Sequence, residues 1–194
     1  TLVAFIAALQ VMQKGLQAVL LCPTEVLAKQ HHENALTHLV DKKLFFNCRS
    51  ILFTQNYRQI NRTIKSKKEL LQELQDGMPG LYIGTHALLE KGVNFSKLAL
   101  VIIDEQHRFG VEQRGELMRK TVNGIPHLLM MTATPIPRTL ALTIYGDLDL
   151  SWIKQKPANR IPIRTRILKE KDRLTLYEKI RQLLQQGQQA YIIY

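Results

Sequence analysis

Two adjacent carboxylates, Asp104 and Glu105, follow the uninterrupted apolar run of residues 98–103. Such a run reads as a strand buried on both faces, and a parallel sheet presents its ligands at the carboxyl ends of its strands. Consecutive strand residues point to opposite faces, so the two acids can take separate tasks, one holding a metal ion and the other handling a proton. A strand that merely ends at the surface can also close on acids, so the pair takes its meaning from its surroundings. Three further polar segments each close an apolar run: Pro23-Thr24-Glu25, Gly84-Thr85-His86 and Thr132-Ala133-Thr134-Pro135.

The elements that must carry these segments alternate. Leu2, Val3, Phe5, Ile6, Leu9 and Met12 recur at helical spacing and Gly15 supplies a stop, so the chain opens in a helix. Residues 17–22 form a short apolar strand, Pro23-Thr24 a loop, and a helix runs on to about residue 39. Strands are expected near 51–54, 81–84, 98–103 and 127–132, with helices between most of them. Strands alternating with helices build an α/β parallel sheet, and in it all four polar segments gather on one edge.

The pattern changes after Tyr145-Gly146. Residues 154–166 hold two prolines and the five cations Lys154, Lys156, Arg160, Arg164 and Arg166, which places an interdomain linker at 151–160 between a first domain, 1–150, and a second unit, 161–194. That unit reads as a strand near 161–167, a helix over 172–186 and a strand at 190–194. A strand-helix-strand unit ending in mid-strand is expected to be the opening of a larger domain, and a helix beginning at residue 1 implies missing chain before it.

Composition narrows the classes further. The 194 residues carry 27 Lys and Arg against 16 Asp and Glu, a formal charge of +11 that suits a polyanion such as nucleic acid. No apolar run approaches the roughly 18 to 20 residues of a membrane span, which reads as a cytoplasmic protein. Cys22 and Cys48 lack paired-ligand spacing and are expected as reduced thiols. His31-His32-Glu33 falls short of a helical zinc motif, because Leu36 stands four residues after His32, and is expected to be a solvated helix face. The cations Arg58, Arg62, Lys65, Lys67 and Lys68 are read in the same way.

Taken in order, the four polar segments match the motifs of a superfamily 2 helicase motor lobe. Asp104-Glu105-Gln106-His107-Arg108-Phe109-Gly110-Val111 and Thr132-Ala133-Thr134-Pro135-Ile136-Pro137-Arg138-Thr139 resemble the RecG family of bacterial branched-DNA helicases. So do residues 23–31 and 84–88, and the resemblance covers essentially the whole chain. The transcription-repair coupling translocases are similar at Arg108-Phe109-Gly110 and at 132–139 but usually carry Glu where Gln106 stands.

The resemblance implies a RecA-like P-loop NTPase sheet with flanking helices, followed by the first strand-helix-strand of a second RecA-like lobe. It implies ATP and Mg²⁺ as cofactors and branched DNA, a replication fork or Holliday junction, as partner, acted on by a monomer whose second lobe and amino-terminal wedge domain lie outside this chain. Asp104 then holds Mg²⁺ and Glu105 accepts the proton of the attacking water. Gln106 and His107 link that site to the partner lobe, and Thr132 and Thr134 couple it to the DNA side. Thr24, Thr85, His86 and Arg138 are the DNA-binding candidates, since short donors and strand-end amides suit phosphate oxygens. Thr1, heading the first helix, matches the last residue of a phosphate-cradling loop and is the nucleotide and second metal candidate. With the rest of that loop and the second lobe absent, the segment alone is expected to hydrolyse almost no ATP.

One departure stands at Gln55, where the family commonly has a glycine that lets a nucleic-acid strand approach the backbone. Two other readings remain beside the helicase: the coupling translocase, and a nucleic-acid-binding module without hydrolysis. The second would be marked by loss of Asp104 or Glu105, and both are present.

Overall fold

The computed structural model describes residues 1–42, 48–105, 124–133, 149–155 and 163–193. The chain divides into two compact units, 1–143 and 144–194. In the first unit α1 (Leu2–Gln13) precedes β1 (Gln17–Leu21), with Gly15 at φ +74° providing the left-handed turn between them. Then come α2 (Glu25–Ala35), running on into a π-helical turn over Leu36–Val40, and β2 (Ser50–Phe53). A short hairpin follows, β3 (Arg58–Ile60) and β4 (Thr63–Ile64), and then α3 (Lys67–Gln75) and β5 (Gly80–Gly84). The long β6 (Leu98–Asp104) and β7 (His127–Met131) complete the described sheet.

The strand order is β4-β3-β2-β5-β1-β6-β7. From β2 to β7 all pairings are parallel, and β3 and β4 extend the β2 edge antiparallel. β1, buried along its whole length, lies at the centre of the five parallel strands.

Period-two alternation divides the core into two layers. Val19, Leu21, Ile51, Phe53, Tyr82, Val101 and Ile103 face one side, where Leu70 and Leu74 of α3 and the turn residues Leu88, Leu89 and Phe95 cover them. Ala18, Leu20, Leu52, Leu81, Ile83, Leu100 and Ile102 face the other, against Ala4, Phe5, Ala8 and Met12 of α1 and Ala28 and Ala35 of α2. Full burial of one such Leu or Ile contributes about 1.5–3 kcal/mol, so the double-sided packing explains why these strands read as continuous apolar runs. Gln17 of β1 is polar yet fully buried. Its side-chain amide donates to the Leu74 carbonyl at 3.0 Å and accepts from the Lys97 N–H at 2.9 Å, tying β1 to the end of α3 and the start of β6.

Three sequence expectations change. His31 and His32 do not form a solvated face: they are 6% and 1% exposed, and only Glu33 of that triplet is exposed. Both histidines share a stripe with the buried Ala28 and Ala35, three, four and seven residues apart. The cations from Arg58 to Lys68 do not lie on one helix either. Arg58 belongs to β3, Arg62 to the hairpin turn, and only Lys67 and Lys68 to α3. Asn61 opens that turn at φ +50°, a conformation Asn tolerates and a tight hairpin requires.

In the second unit α4 (Arg173–Gln185) forms as expected, after a single 3₁₀ turn over Glu170–Asp172. Residues 163–169 and 188–193 form no strand, because a strand exists only by pairing and no partner is found among the described residues. Among the described residues no helix is long and apolar enough to cross a membrane.

Candidate functional site

The parallel register brings the predicted segments to one edge. Leu21 pairs with Gly84 and with Ile103, Phe53 with Gly84, and Asp104 with Met131, so residues 22–25, 54–57, 85–86, 104–105 and 132 leave the sheet side by side. The sheet therefore fixes the neighbourhood of groups up to about a hundred residues apart in sequence.

Asp104 is the last residue of β6, and Glu105 turns out of the strand at φ +51°. That left-handed conformation is strained for a residue with a side chain, and strain of this kind persists only where the surroundings impose it. The turn lets the Glu105 N–H fold back onto Asp104 Oδ1 at 3.1 Å. Asp104 Oδ2 accepts from His31 Nε2 at 2.8 Å. The hydrogen bond from His31 holds the Asp104 carboxyl below its ordinary value of 3.8, outweighing half-burial. Asp104 is thus an ionised carboxylate, an oxygen donor of the kind a hard cation takes.

Mg²⁺ suits this donor set. It prefers hard oxygens in small number, one or two carboxylates beside phosphates and water. A carboxylate has about four acceptor positions, and the two protein hydrogen bonds leave the rest of Asp104 open. No cluster of three or more His, Cys, Asp or Glu suited to a metal exists among the described residues. Thr1 caps α1 without a side-chain hydrogen bond, and no acid sits in that helix's first turn, an arrangement favourable to an anion.

Farther along the edge, Thr24 caps α2, its Oγ1 accepting from the Leu27 N–H at 3.3 Å. Its hydroxyl proton stays available to a phosphate oxygen. Thr85 is 9% exposed at the head of the turn His86–Leu89, and His86 beside it is exposed. Thr132 follows β7 at the exposed edge. Gln106, His107, Thr134, Arg138 and the segment Arg108-Phe109-Gly110 lie outside the described residues.

At Gln55 the loop after β2 is held by its neighbours rather than by a glycine. Glu25 accepts from the Asn56 N–H at 3.1 Å and from Asn56 Nδ2 at 3.0 Å, and these bonds, the side-chain one foremost, lower its carboxyl below the ordinary value. Lys29 Nζ sits 3.2 Å above the Tyr57 ring, and Arg58 donates to the Gln55 carbonyl at 2.8 Å. The basic run is largely neutralised. Arg62 pairs with Asp41, Lys65 with Glu69 and Lys67 with Glu90, so formal charge here overstates the free cations.

The site residue missed from sequence is His31. The alanine stripe of α2 carried the signal, but only the fold could show that the buried ring meets a carboxylate 73 residues away.

Comparison with known proteins agrees with this edge. Residues 1–143 match the DEAD/DEAH box helicases. The chain belongs to that family. Along its own whole length the chain is 45% identical to the ATP-dependent DNA helicase RecG of Synechocystis sp. and 44% identical to that of Treponema pallidum. The structure of RecG bound to a three-way DNA junction aligns over the entire chain with a TM-score of 0.75 and 35% identity. The chain spans 22% and 28% of those two relatives and 24% of the solved structure. The RecA-like mixed sheet with helices on both faces is therefore the helicase fold, as the motif order implied.

Proposed function

We propose that this chain is motor lobe one, linker and opening of lobe two, at 1–150, 151–160 and 161–194, of an ATP-dependent DNA helicase that remodels forks and Holliday junctions in recombination and repair. The observation that carries the reading is the single edge on which Asp104 and Glu105 stand beside Thr24, Thr85 and Thr132, in a chain 41–45% identical to several RecG helicases. When bound, ATP supplies the phosphoryl group to be transferred and Mg²⁺ neutralises its charge. Asp104 holds the ion, through water because Mg²⁺ dehydrates reluctantly, and the Thr1 hydroxyl is its second protein ligand. Glu105 takes the proton of the attacking water, and Gln106 and His107 link that event to lobe two.

Thr132 and Thr134 transmit the state of the catalytic strand to the DNA side. Thr24, Thr85, His86 and Arg138 hold the nucleic-acid backbone without reading bases. The protein works as a cytoplasmic monomer, with a wedge domain outside this chain choosing the junction.

The test is ATP hydrolysis by the full-length protein with forked DNA, linear duplex, single strand or RNA, beside Glu105→Gln. Fork-stimulated turnover that Glu105→Gln abolishes is the expected result. Absence of any nucleic-acid stimulation overturns the motor reading in favour of a passive binding module.

A further inference from the structure

We propose that His31 is the positioning residue of the Asp104 carboxylate, the group through which α2 sets the geometry of the metal site. The inference rests on the metal role proposed for Asp104 above.

His31 Nε2 lies 2.8 Å from Asp104 Oδ2. A carboxylate only accepts, so Nε2 carries the proton and donates it. Nδ1 on the other side of the ring is buried and meets no hydrogen-bond partner. Among the described residues, all of the ring's hydrogen bonding goes to Asp104. His32, next along the helix, shows what a histidine kept for architecture does instead: it uses both nitrogens, with Ser50 Oγ and the Asn61 carbonyl each at 2.8 Å. Leaving a buried ring nitrogen without a partner costs free energy. A side chain kept only to fill that space would have no need of the nitrogen, and the carboxylate is what the ring serves.

The ring also stands on a firm base. α2 is fixed at its head by the Thr24 cap, along one stripe by Glu25 with Asn56, Lys29 over Tyr57, and His32 with Ser50 and Asn61, and beneath by the fully buried Ala28 and Ala35. Asp104 has no comparable anchor of its own. It ends β6 before a strained residue, and among the described residues its other hydrogen bond on the carboxylate comes from the Glu105 N–H. The stiff imidazole, with two torsions and one directional N–H, thus determines how the carboxylate faces the nucleotide edge. Groups that hydrogen-bond a metal-ligating side chain typically change metal affinity or activity roughly 10- to 100-fold when removed.

The experiment uses the full-length protein, titrating Mg²⁺ in DNA-stimulated ATP hydrolysis for wild type, His31→Leu and His31→Gln, with melting temperature as the folding control. His31→Leu is expected to raise the Mg²⁺ concentration for half-maximal rate by roughly 10- to 100-fold, leaving the half-saturating DNA concentration unchanged. His31→Gln, which retains an N–H donor, is expected to recover most of that shift. A merely structural histidine would lower the melting temperature of both variants and leave the Mg²⁺ dependence alone. That result, or a folded His31→Leu with wild-type Mg²⁺ dependence, overturns the proposal.

Wild-type protein without nucleic-acid-stimulated hydrolysis removes the helicase reading itself, and the positioning role with it, before any variant is made. Should His31→Leu not fold, wild type decides: Mn²⁺ with nucleotide is expected to broaden the His31 ring resonances, and unbroadened resonances overturn the assignment.

Discussion

Gly84 closes β5 immediately before Thr85 and His86, and replacing it with alanine tests whether close strand approach builds the nucleic-acid edge. A Cβ at Gly84 would lie 2.0 Å from the Phe53 carbonyl oxygen and 2.8 and 2.9 Å from Leu88 Cδ1 and Cγ. The first contact is with backbone, so only parting β2 from β5 relieves it, at the register point where Phe53 faces Gly84. The Gly84 carbonyl also accepts from the Cys22 N–H at 2.8 Å, so movement reaches β1 as well.

Gly80, at the other end of the same strand, is the internal control. Its Cβ would meet Ile51 Cδ1 at 2.5 Å, the tip of a side chain that can change rotamer. Overpacking of a core costs about 1–3 kcal/mol, and an off-rotamer side chain about 0.5–1.5 kcal/mol. Gly84→Ala is therefore expected to cost about 3 kcal/mol or more and Gly80→Ala about 1 kcal/mol. Native-state hydrogen exchange of the β2 and β5 amides reads this difference locally. The half-saturating DNA concentration for ATP hydrolysis should rise for Gly84→Ala alone. Equal protection loss in the two variants would refute the steric argument, and a displaced strand end with unchanged DNA dependence would remove Thr85 and His86 from the DNA contacts.

Other consequences are as direct. Gln17→Leu leaves the Lys97 N–H without its buried partner, while the Leu74 carbonyl keeps the Gly77 and Ser96 N–H groups, and should cost about 1–3 kcal/mol in urea unfolding, although leucine is the more apolar residue. Burial lowers His32 below its ordinary value of 6.5, so below that pH the unfolded chain binds a proton the folded chain refuses. The contribution of His32 is fully present above pH 6.5 and is lost as pH falls through its depressed folded value, so His32→Leu should flatten the pH dependence of unfolding below pH 6.5. Asp104 acts in the same direction at lower pH, its contribution present above 3.8 and lost as pH falls through its lowered folded value. Burial pushes the Cys48 thiol up to about 11 and raises that of Cys22 further, so neither should react with iodoacetamide at pH 8 until the protein is unfolded, as mass spectrometry can check.

Much of this protein is legible in the residue order, for a physical reason. Strands buried on both faces are apolar nearly throughout, so residues 17–21, 81–84 and 98–103 announce themselves, and the polar groups that end them gather on one edge of the sheet. Helix α1 and its stop at Gly15 follow from spacing and from the one residue that takes a positive φ without strain. The short strands β3 and β4 could not be read this way, because three and two residues carry no period and their existence depends on an edge supplied by β2. The same holds for the cations around them, whose partners Asp41 and Glu90 come from other parts of the chain.

Sequence by itself determined which residues could do chemistry, the order in which the strands present them, and the identity of Asp104 and Glu105 as the acidic pair. Tertiary structure alone decided that Asp104 is oriented by His31 and that Glu105 turns out of the strand in a left-handed conformation. It alone decided that two adjacent histidines divide between architecture and the site. Local pattern records which face of an element is buried, whereas the partner met on that face is set by how the whole sheet is ordered.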